Sequence, residues 1–438
     1  MYYRLNENIS CIKVYSTYAI LYIKTTRGEI PISKVNSTAF EILKLCNGKN
    51  TKAKIIDELS KKYEDVNQIK EFVTKYINAS IKDFLIIEQE SPFDKDTTNI
   101  AFLDFTELII PELVAIELTK NCPLKCKHCY LNAGEGYDPN NNIETSTLNN
   151  IVNEIIELNI PSVQLTGGEP LLHKDIYKII EVLQDKDISV QLFTSGYVND
   201  DKTIKKLSSY KDKKFVIQVS VDGLAKYHNN FRGKNDAYEK TMLFIERSIS
   251  EGLNLSVGIS ILDQKNEEII DLVGILKNKG VSVVRLGYVS ERGRAIESNI
   301  AINLSNVERI KKLQKTLQKI YADDTFRIQL TEDFDKVSVC GNCGLGQMIL
   351  KIDYKGDIYP CVMSDIKIGN YLTSNIKDTQ KRCSRIFSKI QLPQSEECRQ
   401  CKKFNLCNYC IIEALMYCDN QKTWYKNNIP LIESVQCK

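Results

Sequence analysis

Residues from about 112 to 290 predict an α/β domain built on a parallel sheet, and two observations predict it. Six short β-rich runs recur there: Val114–Leu118, Ser162–Leu165, Ser189–Phe193, Phe215–Val221, Leu255–Leu262 and Val281–Leu286. Helix-patterned segments such as Thr147–Leu158, Tyr238–Ser250 and Asn266–Lys279 lie between them. Strands alternating with helices mean βαβ crossovers, and crossovers mean parallel pairing. Periodicity does not choose between a doubly wound sheet and a barrel. In both, an active site lies at the C-terminal strand ends.

Residues 1–90 read as a separate small unit. Tyr18-Ala19-Ile20-Leu21-Tyr22-Ile23 alternates, Arg27-Gly28-Glu29 supplies a turn, and Ile30-Pro31-Ile32 follows, which is a hairpin signal. Three helical patterns come next, on Phe40 with Leu43, on Ile55 with Leu59, and on Phe72, Val73, Tyr76 and Ile77. Thr38 and Glu41 have the spacing of a capping box. Residues 91–111 read as a linker, because Ser91–Asn99 is polar and carries a proline. After about 335 the chain is cysteine-rich, with strand-like Met348–Ile352 and Asp357–Tyr359 around the turn Tyr354-Lys355-Gly356.

The chain has 438 residues, 43% hydrophobic and 26% charged, ample to bury a core without disulfides. Lysine plus arginine less aspartate plus glutamate is 59 − 56 = +3, which argues against a nucleic-acid binder or an anionic-membrane clamp. No run of about 18 apolar residues is present, so no membrane span is expected. The first residues lack the layout of a secretory signal, so a cytoplasmic location is expected.

Fifteen cysteines against three histidines stand out. In a reducing cytosol such cysteines read as metal ligands, and scarce histidine favours thiolate-only sites: iron–sulfur clusters or Cys₄ zinc. Cys122-Pro-Leu-Lys-Cys126-Lys-His-Cys129 has the spacing CX3CX2C just after the first strand. Three thiolates hold three irons of a 4Fe–4S cluster and leave the fourth iron open to a small-molecule chelate. The plainer alternative is a zinc knuckle borrowing His128. The second strand ends Gly167-Gly168-Glu169-Pro170, where bare backbone admits a ligand and Glu169 can accept from an ammonium group.

Together these two motifs resemble the radical S-adenosylmethionine (SAM) superfamily. The resemblance implies a partial (β/α)6 barrel over 112–300, with a 4Fe–4S cluster on Cys122, Cys126 and Cys129. It implies that Gly167, Gly168 and Glu169 contact the SAM amino group, and that Arg232 faces the SAM carboxylate. Ser195, Ser220 and Asp222 end the third and fourth strands with groups able to bond ribose hydroxyls. Val257–Ser260 and Gly287 are candidates to flank adenine.

The C-terminal spacing Cys343-X12-Gly356-X4-Cys361, followed by Cys398-X2-Cys401-X5-Cys407-X2-Cys410, resembles the SPASM extension, assigned to 301–438. The family usually has three residues between the last two cysteines; here Asn408 and Tyr409 alone intervene. The extension implies two auxiliary 4Fe–4S clusters. One would use Cys343, Cys361 and Cys410, with Cys340 a candidate fourth ligand; the other Cys398, Cys401, Cys407 and a late cysteine, Cys437 before Cys418. A Cys₄ zinc site at 398–410 is the alternative.

Residues 1–90 resemble, in general pattern, the peptide-binding winged-helix unit of the pyrroloquinoline-quinone chaperone, through Asn36-Ser37-Thr38-Ala39, Gly48, Thr51 and the Ile55/Leu59 helix. Such units bind a precursor's leader as an added strand. A DNA-binding winged helix fits poorly, since residues 48–90 hold eight lysines and eight acidic residues.

Over nearly its whole length the chain resembles radical SAM maturases of ribosomal peptides, the subtilosin A group in particular. Phe231-Arg232-Gly233, Arg292-Gly293-Arg294 and Asn342-Cys343-Gly344 are among the similar stretches. The implied reaction is hydrogen abstraction from a bound peptide by a 5′-deoxyadenosyl radical, ending in a cysteine-sulfur to α-carbon thioether. A carbon–carbon crosslink or a side-chain oxidation is the rival outcome. An iron–sulfur electron carrier and a zinc-stabilised interaction protein are rivals of other classes. The implied partners are the precursor peptide and a reductant such as flavodoxin or ferredoxin.

Overall fold

The computed structural model describes the chain except residues 15–17, 26–27, 64, 94–99, 105–109, 135, 301–303, 332–342 and 437–438. Its residues form two compact units, Met1–Ile109 and Ile110–Lys438.

The first unit has a three-stranded antiparallel sheet, Asn47–Thr51 beside Tyr2–Leu5 beside Ile86–Gln89. Its second sheet places Gly28–Asn36, Tyr18–Thr25, Ile9–Val14 and Ala101–Asp104 side by side. The hairpin expected at 18–32 is there, with Ala19 and Leu21 wholly buried on alternate positions. Of its turn, Arg27 lies outside the described residues. Helices Ser37–Leu45, Lys52–Ser60 and Val66–Lys82 cover the apolar faces, and Ile69, Val73 and Ile77 line the buried stripe of the third at four-residue spacing.

Two expectations are corrected. Asn36, not Thr38, caps the first helix, accepting from Ala39 N at 2.8 Å. Thr38 instead accepts from the Tyr63 hydroxyl and Glu41 pairs with Lys62, so no capping box forms. The 91–111 stretch is not all linker: Ala101–Asp104 pairs in parallel with Ile9–Val14, because an edge strand's free backbone groups take any extended segment in reach.

The second unit is organised by one ten-stranded sheet, whose strands are numbered β1–β10 along this unit. They are β1 Leu113–Glu117, β2 Ser162–Thr166, β3 Ser189–Thr194, β4 Phe215–Ser220, β5 Leu255–Ile261, β6 Val283–Tyr288, β7 Arg327–Leu330, β8 Ile349–Ile352, β9 Asp357–Tyr359 and β10 Gly369–Asn370. Their order is β7-β6-β5-β4-β3-β2-β1-β8-β9-β10, and neighbours from β7 through β8 are parallel. This is the sequential winding of a partial barrel. All six expected strands are found within about two residues of their predicted bounds.

The barrel runs further than the 112–300 expected for it. Helix Leu304–Tyr321 and β7 continue the βα alternation, so 304–330 extends the barrel's sheet and its covering helices. At the other edge β8 joins β1 in parallel and turns back as β9, which welds the extension to the same sheet. Val163, Leu165, Val190, Leu192, Ile217 and Val219 are wholly buried, whereas Gln164, Gln191 and Gln218 on alternate positions are half-buried. One face of the sheet is therefore apolar and packed; Gln164, on the other, lines a cavity.

Candidate active site at the strand ends

The ends of β1 and β2 are laced together. Gly168 N donates to Thr119 O at 2.6 Å and Glu169 N to Asn121 O at 2.8 Å. A Cβ on Gly167, where φ is +135°, would stand 2.4 Å from Thr119 O, and one on Gly168 2.3 Å from Asn121 O. Both glycines are thus demanded by the close passage of the two loops. The cysteine loop that follows is gripped by the end of helix Ala225–Arg232 and by Arg294. Lys125 N donates to Arg232 O (3.0 Å) and Lys127 N to Phe231 O (2.9 Å). Arg294 donates from Nη1 to Cys126 O (2.7 Å), from Nη2 to Ala133 O, and from its backbone N to Cys129 O (2.9 Å).

Above this loop lies a cavity of about 290 Å³. Cys122, Cys126, Cys129, Gly167, Gly168, Ser195, Ser220 and Arg232 all line it, as does Ser260. Eight residues singled out from five separated stretches converge on one space. Val362 and Met363 also form part of the wall, so the segment after Cys361 borders the same cavity. No sequence signal marked those two.

Two expected SAM contacts stand behind the wall instead. Glu169 is wholly buried; its Oε1 accepts from Thr194 Oγ1 (2.7 Å) and Leu171 N (3.3 Å), its Oε2 from Ser195 N (3.0 Å) and Ser195 Oγ (2.5 Å). Burial pushes its pKa up against the pull of those donors. The carboxyl orients Ser195, which itself reaches the cavity. Asp222 is wholly buried too, and is engaged by Arg232 rather than facing a ribose: Arg232 Nε and Nη2 each lie 2.6 Å from Asp222 Oδ2. Burial alone would raise Asp222, but Arg232 beside it holds the carboxyl below the usual range. Pairing an interior carboxylate with a buried guanidinium costs less than leaving it unpaired.

Burial pushes the Cys122 and Cys126 thiols well up, and for Cys126 the Arg232 charge opposes it. Such thiols are neutral until a metal displaces their protons. His128 stacks on Phe231 with ring centroids 4.4 Å apart and an interplanar angle of 6°, and burial lowers it to about 4. Its ring is a neutral packing element.

In the extension, Cys410 is raised by burial and by the neighbouring Cys343 and Cys361, so the fold brings these three thiols together. Cys361 is pushed up to about 11 by burial. Cys398, Cys401, Cys407 and Cys418 line a second, smaller cavity with Lys422. Helix Ile411–Tyr417 carries the chain back, which puts Cys418 where the sequence reading ranked Cys437 first. Cys340 and Cys437 lie outside the described residues. Cys11, Cys46 and Cys383 are buried in apolar surroundings, as expected of small hydrophobes. Among the described residues no three His, Cys, Asp or Glu side chains are arranged to hold a single metal ion. Four sulfurs round one zinc stand only ~3.8 Å apart, given Zn–S bonds of about 2.3 Å. A cluster carries each thiolate on a separate iron and spreads them wider.

Comparison with known proteins agrees with this geometry. Residues 116–289 match the radical SAM superfamily, residues 20–86 the coenzyme PQQ synthesis protein D (PqqD) family, and residues 343–402 the SPASM iron–sulfur cluster-binding domain. The antilisterial bacteriocin subtilosin biosynthesis protein AlbA of Bacillus subtilis is 22% identical over 425 residues, 94% of this chain and 91% of that protein. The sporulation killing factor maturation protein SkfB of the same organism is 24% identical over 269 residues, 61% of this chain and 64% of that one. The crystal structure of Streptococcus suis SuiB bound to S-adenosylmethionine superposes with a TM-score of 0.62 at 16% identity, over 97% of this chain and 100% of that one. The chain thus carries a PqqD-type unit, a radical SAM domain and a SPASM domain, in that order.

Proposed function

We propose that this enzyme matures a ribosomally made precursor peptide by forming a thioether between a cysteine sulfur and an α-carbon. One observation carries the reading furthest. The segment directly after Cys361 walls the cavity that Cys122, Cys126 and Cys129 open onto, so an auxiliary cluster would border the place where hydrogen is removed. The subtilosin protein AlbA, similar along nearly the whole chain, supports the peptide class of substrate.

Cys122, Cys126 and Cys129 would hold the SAM-binding cluster. Cys343, Cys361 and Cys410, with Cys340, would hold one auxiliary cluster, and Cys398, Cys401, Cys407 and Cys418 the other. When bound, the cluster-held SAM supplies the 5′-deoxyadenosyl radical that takes a hydrogen atom from the peptide. The chain's own residues orient and enclose. Backbone at Gly167 and Gly168 and the hydroxyls of Ser195, Ser220 and Ser260 face the cavity with polar groups for SAM. Leu124, Phe193 and Met363 exclude water from the rest of the wall.

Leader binding falls to the first unit. Gly28–Asn36 is the outer strand of its four-stranded sheet and offers an unpaired row of backbone groups to an added strand. A flavodoxin or ferredoxin supplies electrons. The test is anaerobic incubation of iron-reconstituted enzyme with its precursor, read by tandem mass spectrometry. Hydrogen loss localised to a cysteine and an acceptor residue, with 5′-deoxyadenosine formed alongside, is expected. A carbon–carbon link, or oxidation without a link, would overturn the thioether assignment. Deleting residues 1–109 is expected to leave peptide-independent SAM cleavage largely intact and to remove turnover of full-length precursor; retained turnover would refute the leader role.

A further inference from the structure

The Asp222–Arg232 pair has a third member that the SAM contacts do not use. Arg232 Nη1 points at Cys126 Sγ, 3.7 Å away, while Nε and Nη2 are both held on Asp222 Oδ2. The arginine side chain is 9% exposed and the aspartate side chain 0%. Asp222 is itself locked from three sides: Oδ1 accepts from Ser260 N (3.0 Å), its backbone N donates to His228 Nδ1 (3.1 Å), and its carbonyl accepts from Gln264 Nε2 (2.7 Å).

The backbone is fixed as tightly. Lys125 N bonds Arg232 O, and the helix Ala225–Arg232 ends at Gly233, where φ is +71° and a Cβ would stand 2.7 Å from Lys125 O. The distance from guanidinium to sulfur is therefore set by the scaffold and not by a ligand. Asp222 does not line the cavity, so whatever it does, it does not do by touching SAM.

We propose that Arg232, positioned by Asp222, sets the reduction potential of the cluster on Cys122, Cys126 and Cys129 by donating an N–H to the Cys126 sulfur. Hydrogen bonds to ligand sulfurs and nearby charge are the protein's main levers on such a potential. A cation close to the thiolate favours the reduced cluster, which carries one more negative charge. The carboxylate lies beyond the guanidinium, farther from the sulfur, and partly cancels that field. The pair thus acts as an oriented dipole with its positive end on the cluster. This inference rests on the reading that these cysteines hold an iron–sulfur cluster.

The experiment is a redox titration of anaerobically reconstituted full-length enzyme without SAM, followed by electron paramagnetic resonance. Wild type, Asp222→Asn, Arg232→Gln and the Asp222→Asn/Arg232→Gln double variant are compared on a background in which Cys361 and Cys407 are alanine, so that one cluster dominates the signal. The expected order from high to low potential is Asp222→Asn, wild type, double variant, Arg232→Gln. Asp222→Asn frees the cation's field, and Arg232→Gln removes it while leaving a buried carboxylate. If Arg232→Gln does not fold, because its aspartate is left unpaired, the double variant, an uncharged amide pair of similar shape, decides the matter. A purely structural role would leave the double variant at the wild-type potential, and that result, or Asp222→Asn at or below wild type, overturns the proposal. Absence of any cluster signal from the parent protein would instead refute the cysteine assignment itself.

Discussion

The two cysteine regions of the second unit are held in different ways. The loop Cys122–Cys129 is bonded to the ends of other elements by Arg232 O, Phe231 O and two donors of Arg294, and it sits on strands whose cores are wholly buried. The region of Cys398 to Cys418 is made of short pieces, helices Glu396–Arg399, Phe404–Cys407 and Ile411–Tyr417, around a small cluster of Cys398, Cys407, Ala414 and Trp424. Helices of four residues have no stability of their own. The barrel therefore shapes its thiol site before anything binds there, whereas the extension relies on what its thiols hold. A site that must leave an iron open to SAM needs a scaffold that does not collapse when the ligand leaves; a fully ligated cluster can itself be the scaffold.

That contrast breaks most visibly at Cys126. Cys126→Ala is expected to reduce 5′-deoxyadenosine formation to background while circular dichroism and the iron of the extension are retained, since the loop's backbone bonds do not involve the thiol. Cleavage at the wild-type rate would show that the cluster is elsewhere. Cys361→Ala comes next. It is expected to form 5′-deoxyadenosine but little crosslinked peptide, because the closed-shell product requires one further electron to leave. A folded Cys361→Ala enzyme that crosslinks normally would end the electron-acceptor role.

Removal of iron sharpens the comparison. Hydrogen exchange in chelated protein is expected to lose most protection over 396–418 and to keep it on β1–β6, because opening of the extension then costs little free energy. Equal protection in both regions would contradict the contrast.

The smallest effect lies at the seam between the regions. Glu117 at the end of β1 is 3.6 Å from Lys351 on β8, both side chains nearly fully buried. Burial pushes Glu117 up to about 7, against the pull of Lys351. A carboxyl raised on folding contributes stability below its unfolded pKa of 4.5 and loses it as pH rises toward 7. The melting temperature is expected to fall over that window, by the equivalent of ~3 kcal/mol at most. Glu117→Gln is expected to flatten that part of the curve. An unchanged slope would show that Lys351 compensates the charge fully.

Much of this was legible in residue order. The strands of the barrel were visible because a sheet packed on one face must alternate or run apolar, and a period of two survives in any single sequence. The CX3CX2C and Gly-Gly-Glu motifs were visible because chemistry confined to one loop must be written in adjacent residues. The strand Ala101–Asp104 was not, since four residues are too few to show a period, and its partner Ile9–Val14 is some ninety residues away. The place of helix Leu304–Tyr321 was hidden likewise: its pattern fits either domain, and the pairing of β7 with β6 joins it to the barrel.

Within the site, residue types determined which groups have chemistry to offer, and the fold decided which way each one faces. Glu169 and Asp222 look from the sequence like ligand contacts because both are carboxylates at strand ends. Desolvation decides their partners within the fold. A carboxylate with no water around it must take its donors from the protein, so Glu169 binds Thr194 and Ser195, Asp222 binds Arg232, and their neighbours are left to face the cavity. Cys418 shows the same division. Its sulfur is ligand chemistry by sequence, but its place beside Cys398, Cys401 and Cys407 depends on one short helix turning the chain through space, a distance that no spacing along the chain records.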